Sequence, residues 1–132
     1  MTLILCIDDK KGMTFGGKRQ SRDSAVTERI LSLTDGKRLV LSPYSAPLFP
    51  DKKELVVAED PAEAGKADDF LFIENTSLPE KAPERIILFH WNRRYPATSF
   101  FTLSTDGYAL SETREFKGSS HDCITEESWE LK

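Results

Sequence analysis

Six side chains in two short stretches have types that could do chemistry: Arg19, Ser21, Arg22 and Asp23 in the first, Tyr44 and Ser45 in the second. Arg19 and Arg22, with Lys18 beside them, can grip a carboxylate or phosphate, because guanidinium groups offer paired donors and a following helix N-terminus adds backbone N–H groups. A solvated basic loop accounts for the same residues without a ligand. Asp23 stands where a helix should begin, and a carboxylate there can act as a general acid if burial and a partner tune it. Capping and the helix dipole explain the same Asp without chemistry. Tyr44 and Ser45 follow Gly36 to Leu41, a short apolar run that hands over to Ser42-Pro43. A buried strand meeting a helix N-terminus is where open α/β sheets hold ligands.

Other reactive residue types do not assemble. His90 lies inside an apolar run and reads as a core histidine, while His121 sits in a polar turn, so two separate histidines and two distant cysteines offer no metal-ligand spacing. No metal is expected. Ser119-Ser120-His121-Asp122 has the letters of a hydrolase triad, but adjacent residues point apart and the run reads as a turn. Trp91-Asn92-Arg93-Arg94-Tyr95 could stack a planar ring, or form a strand end or a subunit contact.

The elements that position these residues follow from periodicity. Thr2 to Ile7 predicts a central strand covered on both faces. Gly12 to Ser21 predicts a loop, with Gly16-Gly17 free to take positive φ, and this loop is a candidate lid. A helix should start at Ser21 or Asp23, carry Val26, Ile30 and Leu33 inward, and stop at Asp35-Gly36. Leu39 to Leu41 predicts a strand, with Ser42 capping a short helix that has Pro43 at its first position. Leu55 to Ala58, Phe70 to Ile73 and Ile86 to Trp91 predict further strands, and Pro61 to Ala64 a single helical turn. Ser99 to Leu103, Tyr108 to Leu110 and Asp122 to Glu130 predict an antiparallel finish to a mainly parallel sheet.

A chain of 132 residues is expected to form one domain, residues 1–132, with a core large enough to need no staple. No apolar run approaches the roughly 18 residues of a membrane span, and the opening run meets Asp8-Asp9 without a basic leader, so no membrane association and a cytoplasmic location are expected. A net charge of −4 argues against nucleic acid as a partner. The first third is nevertheless locally basic and residues 51–84 mostly acidic, an asymmetry that can steer a small anion.

The order of elements resembles the dihydrofolate reductase family. Gly36-Lys37-Arg38-Leu39-Val40-Leu41-Ser42-Pro43-Tyr44-Ser45 is similar to the family's Gly-Lys-Pro-Val-Ile-Met-Gly-Arg-x-Thr, and Leu88-Phe89-His90-Trp91 to its Leu-Thr-His-Ile strand. Phe100-Phe101 resembles its Thr-x-Phe-Pro region, and Gly118 to Cys123 the turn before its final strand. The resemblance implies a single-domain α/β fold with few helices. It also places Asp23 at the acid that protonates the pterin, and Ser45 at the Thr that meets the cofactor phosphate.

Several positions depart from the family. Arg19-Gln20-Ser21 replaces the Leu-Pro-Trp of the substrate pocket, Phe89 the Thr that bonds the catalytic carboxylate, and Pro43 the phosphate-reading Arg. Glu74-Asn75 replaces the Gly-Gly pair that admits the cofactor pyrophosphate, and the chain is shortened after Phe49. These departures imply a degenerate relative that has lost the normal cofactor site and binds a small anionic or planar ligand, or a protein partner, through Arg19, Ser21, Arg22, Tyr44 and Ser45. The alternative is an NADPH-dependent reductase of folate or a related ring, with Asp23 as acid, Ser45 on phosphate and Tyr44 at the pocket wall. A third reading is a structural homodimer with a seam at Phe100 to Leu103 or at the Trp91 cluster.

Overall fold

The computed structural model describes residues 1–132. Strand β1 (Thr2–Ile7) is an unbroken apolar run, and it lies at the middle of a seven-stranded sheet because both of its faces can be buried. With β4 (Leu39–Leu41), β5 (Leu55–Val57), β6 (Phe70–Phe72), β7 (Arg85–His90), β9 (Tyr108–Phe116) and β10 (Ile124–Leu131), the sheet order is β5-β4-β6-β1-β7-β10-β9. The first five strands in that order run parallel, with Thr2 opposite Phe70 on one side and Arg85 on the other. β10 returns antiparallel to β7 and β9 antiparallel to β10, as the loss of helical period in the last third predicts.

Alternation along each strand divides the core in two. Ile4, Leu39, Leu41, Phe72, Ile87 and Phe89 face helix α1 (Ser24–Leu33), which inserts Val26 and Ile30, and Phe49 meets Phe72 edge-on at 5.6 Å. Leu3, Leu5, Val40, Leu71, Ile86 and Leu88 face the other way, beneath Met13, Phe101 and Tyr108. Each fully buried Leu, Ile or Phe contributes about 1.5–3 kcal/mol, and this holds the parallel strand ends in register.

Three expectations need correction. Gly12 to Ser21 is a hairpin, not a loop: β2 (Gly12–Phe15) and β3 (Lys18–Arg19) pair antiparallel around Gly16 and Gly17, both at positive φ, the conformation a two-residue hairpin turn requires. Ser99 to Leu103 shortens to β8 (Ser99–Phe100), which pairs with β2 in a separate three-stranded sheet and does not join the main one. Ser42 does not start a helix at Pro43. The chain turns there, with the Ser45 N–H bonded to the Ser42 carbonyl and hydroxyl, and a short 3-10 helix follows at Ala46–Leu48. The single turn α2 (Pro61–Ala64) forms as expected. No helix is long and apolar enough to cross a membrane.

Candidate functional site

The parallel strands end at one edge, and their exits bring together Cys6 from β1, Ser42 after β4, Glu74 after β6 and Trp91 after β7. The β2–β3 hairpin crosses this edge and is fastened to it. Arg19 donates Nε and Nη2 to the two carboxylate oxygens of Glu74, each at 2.9 Å, and its guanidinium carbon lies 4.4 Å from the centre of the Tyr44 ring. Ser45, fully buried, donates its hydroxyl to Glu74 Oε1 at 2.7 Å. The Arg19 N–H bonds the Tyr44 hydroxyl at 2.9 Å, and Asn75 Nδ2 bonds the Gly17 carbonyl at 2.9 Å. Hydrogen bonding to Glu74 raises the Arg19 pKa further above its usual range. Burial pushes the Cys6 thiol well up, with Glu74 adding to the effect and Arg19 opposing it, so Cys6 is a neutral thiol. Two small voids, about 20 and about 10 Å³, share Cys6, Arg19, Ser21, Glu74 and Trp91 in their walls. The Arg19–Glu74 bridge forms part of the wall of both.

Asp23 occupies the neighbouring end of this edge. It is the N-cap of α1, with φ −148° and ψ 121°, and lies outside the first helical turn. Its carboxylate is buried and saturated. Oδ1 accepts from the N–H groups of Ala25 and Ser119 at 2.9 Å, and Oδ2 from the Ser120 N–H and His121 Nδ1 at 2.9 Å. The Ser119 hydroxyl adds a further donor at 3.1 Å. Desolvation by burial pushes its pKa up, but the N–H groups of Ser119 and Ser120 and the His121 ring outweigh that and hold it well below the usual carboxylate range. The carboxylate's lone pairs are spent on these donors. Asp23 caps and clamps.

The clamp is the turn from Gly118 to His121, which the sequence marks only as a turn. Because Asp23 can only accept, His121 Nδ1 carries the proton toward it, and Nε2 shares a hydrogen bond with the Tyr95 hydroxyl at 2.8 Å. Ser21 Oγ lies 3.2 Å from the same Nε2, and the His121 ring stacks on Trp91 with centres 4.7 Å apart. The order Asp23, His121, Ser21 has the connectivity of a nucleophile relay. Tyr95 nevertheless sits closer to Nε2, at 2.8 Å, than Ser21 does, at 3.2 Å. The array is a buried hydrogen-bonded lock.

The structure thus gathers Arg19, Tyr44 and Ser45 around Glu74 and places Ser21 on His121. Arg22 is exposed, and its carbonyl accepts from the Ser120 hydroxyl at 2.7 Å. The Trp91 to Tyr95 cluster does not form a stacking surface, since Trp91 is buried against His121 and the Tyr95 hydroxyl turns inward. His90 is half-buried and bonds Glu127 at 2.5 Å. Cys6 and Cys123 are both half-buried and unpaired, and no three His, Cys, Asp or Glu side chains converge as metal ligands.

Asp23 is not the only carboxylate with a lowered pKa. Asp8 is held low by the N–H groups of Gly12, Lys10 and Tyr95, and Asp69 by Arg38, each against desolvation. Folded-state pKa values below the unfolded ones give stability that is complete above the unfolded carboxylate range, near pH 4, and is lost as pH falls through the folded values. Urea midpoints should therefore drop steeply below about pH 4. An Asp23→Asn variant, less stable at neutral pH, should show a shallower acid limb.

A mainly parallel sheet with two antiparallel strands at one edge, one long helix capped at the strand exits and a hairpin across them defines an α/β class in which that edge holds ligands. No family model matches the sequence, and no curated protein matches it. Among solved structures, the chain is similar to dihydrofolate reductase from Enterococcus faecalis complexed with NADP(H) and RAB-propyl, with a TM-score of 0.70 and 14% identity over 99% of this chain and 95% of that one. The chain has a dihydrofolate-reductase-like fold.

Proposed function

We propose that this protein is a binding module built on a reductase-like fold, and that its crevice takes a small carboxylate-class anion without nicotinamide-dependent hydride transfer. One observation carries the reading: the Glu74 carboxylate stands at the exit of β6 and takes for itself the Arg19 guanidinium and the Ser45 hydroxyl. A planar carboxylate held by two guanidinium N–H groups is the geometry an external carboxylate would adopt on Arg19. An incoming anion therefore competes with Glu74, and its entry joins the two voids by lifting the hairpin. A cofactor phosphate arriving at the same place meets a carboxylate and finds Ser45 spent.

The test titrates benzoate and inorganic phosphate into wild type and Glu74→Gln, with Trp91 fluorescence and thermal shift as readouts. Neutralising position 74 should tighten anion binding by about tenfold, the effect of removing a charged competitor at an Arg. The gain should vanish when Arg19→Met is added. Absence of any response in Glu74→Gln up to millimolar anion would overturn the binding reading. The second reading, a reductase, draws support from the likeness to an enzyme solved with NADP(H). Saturable NADPH oxidation in the presence of dihydrofolate by the wild-type protein would establish that reading in place of the first.

A further inference from the structure

We infer that two copies of this chain pair along β9, antiparallel, about a two-fold axis that passes through Thr113 and fuses their seven-stranded sheets. β9 is nine residues long, forms the outer edge of the sheet, and has β10 as its one neighbour. Ala109 to Glu115 are exposed on both faces, so the outward row of backbone N–H and C=O groups is open along most of the strand. The opposite edge, β5, has three residues and offers no comparable template. A long open edge is a pairing site unless its side chains oppose pairing.

The side chains of β9 do not oppose it, and one register within the strand sets its opposite charges against each other. Directly opposed residues in an antiparallel pair lie on the same face, so a two-fold axis must pass through a residue. Centred on Glu112 or on Arg114, the axis would set like charges against each other. Centred on Thr113, it sets Glu112 against Arg114 of the second copy and, by symmetry, Arg114 against its Glu112. Leu110 then faces Phe116, and Ser111 faces Glu115. Glu112 and Arg114 already bond within one strand at 2.9 Å and are both exposed, so pairing completes an alternating group of four charges. The two other seams suggested by the sequence lack this: β8 has two residues, and Trp91 is buried.

Sedimentation velocity over a wide concentration range tests the pairing. Wild type should dimerise, and Arg114→Glu should weaken the dimer by at least tenfold, because it places two glutamates opposite each other on both sides of the axis. Combining Glu112→Arg with Arg114→Glu should restore the dimer, an outcome that a merely destabilised strand would not produce. Thr113→Cys should form a disulfide-linked dimer under mild oxidation, since the two sulfur-bearing residues would face each other across the axis, whereas Ser111→Cys should not. A wild-type protein that stays monomeric at high concentration, or a dimer indifferent to Arg114→Glu, overturns the inference. A crosslink from Ser111→Cys in place of Thr113→Cys would likewise contradict this register.

Discussion

Asp23→Asn should lower stability by about 3 kcal/mol or more, and the melting temperature by about 10 °C, because the side-chain amide presents donors to donors. In the wild type, the buried carboxylate accepts from three backbone N–H groups, the Ser119 hydroxyl and the buried His121 ring. Asparagine can satisfy the half of that set at one oxygen. At the other, its NH₂ group meets the Ser120 N–H, and the turn from residue 118 to 121 must open. The measurement is a thermal or urea melt at pH 7, and it separates the two roles an acid at this position could have. A catalytic acid that caps nothing would lose activity at unchanged melting temperature; a clamp loses melting temperature whether or not any activity exists. An unchanged melt would sink the structural account and return Asp23 to the chemistry implied by the family resemblance.

Much of the fold was legible because the sheet is parallel and central. Runs such as Leu3-Ile4-Leu5 and Ile86-Ile87-Leu88-Phe89 are buried on both faces, and such strands announce themselves by unbroken hydrophobicity. The hairpin was not legible, since Gly12 to Arg19 alternates poorly and takes its stability from distant partners: β8, Tyr44, Glu74 and Asn75. The same applies to β9. Ala109 to Glu115 are exposed on both faces, so no period marks them, and the strand extends to Phe116 because β10 pairs with it along its length.

At the site, Arg19, Tyr44 and Ser45 lie together, but the carboxylate that occupies them is not visible in the sequence. Arg19, Tyr44 and Ser45 converge, as a ligand site requires, and an internal carboxylate already satisfies two of them. Nothing in a linear sequence pairs Arg19 with a residue 55 positions away. The neighbours of His121 in sequence cannot serve it; its partners are Asp23, Ser21, Tyr95 and Trp91, drawn from two other parts of the chain. The available signal was indirect. A buried N-cap Asp needs donors, and a Gly-Ser-Ser-His turn is a dense supply of them.

Gly118→Ala should cost about 2–4 kcal/mol, the range for breaking a buried hydrogen-bonded network, even though it adds one methyl group. A Cβ at this position would lie 2.4 Å from Asp23 Oδ2 and 2.8 Å from the His121 carbonyl oxygen. Neither atom can yield cheaply, because the carboxylate is fixed by its donors and the carbonyl belongs to the backbone of the turn. Either the turn withdraws from the N-terminus of α1, stranding the Ser119 and Ser120 N–H groups, or Asp23 rotates and uncaps the helix. Gly65→Ala is the matched control. At φ −67° its Cβ would meet nothing closer than 3.4 Å, so it should be neutral or stabilise by up to about 1 kcal/mol through a less flexible unfolded chain. Urea melts of both variants decide the point. A Gly118→Ala protein as stable as Gly65→Ala would mean that the turn does not clamp Asp23 in solution. The carboxylate would then be free to face the crevice, where the family resemblance places an acid.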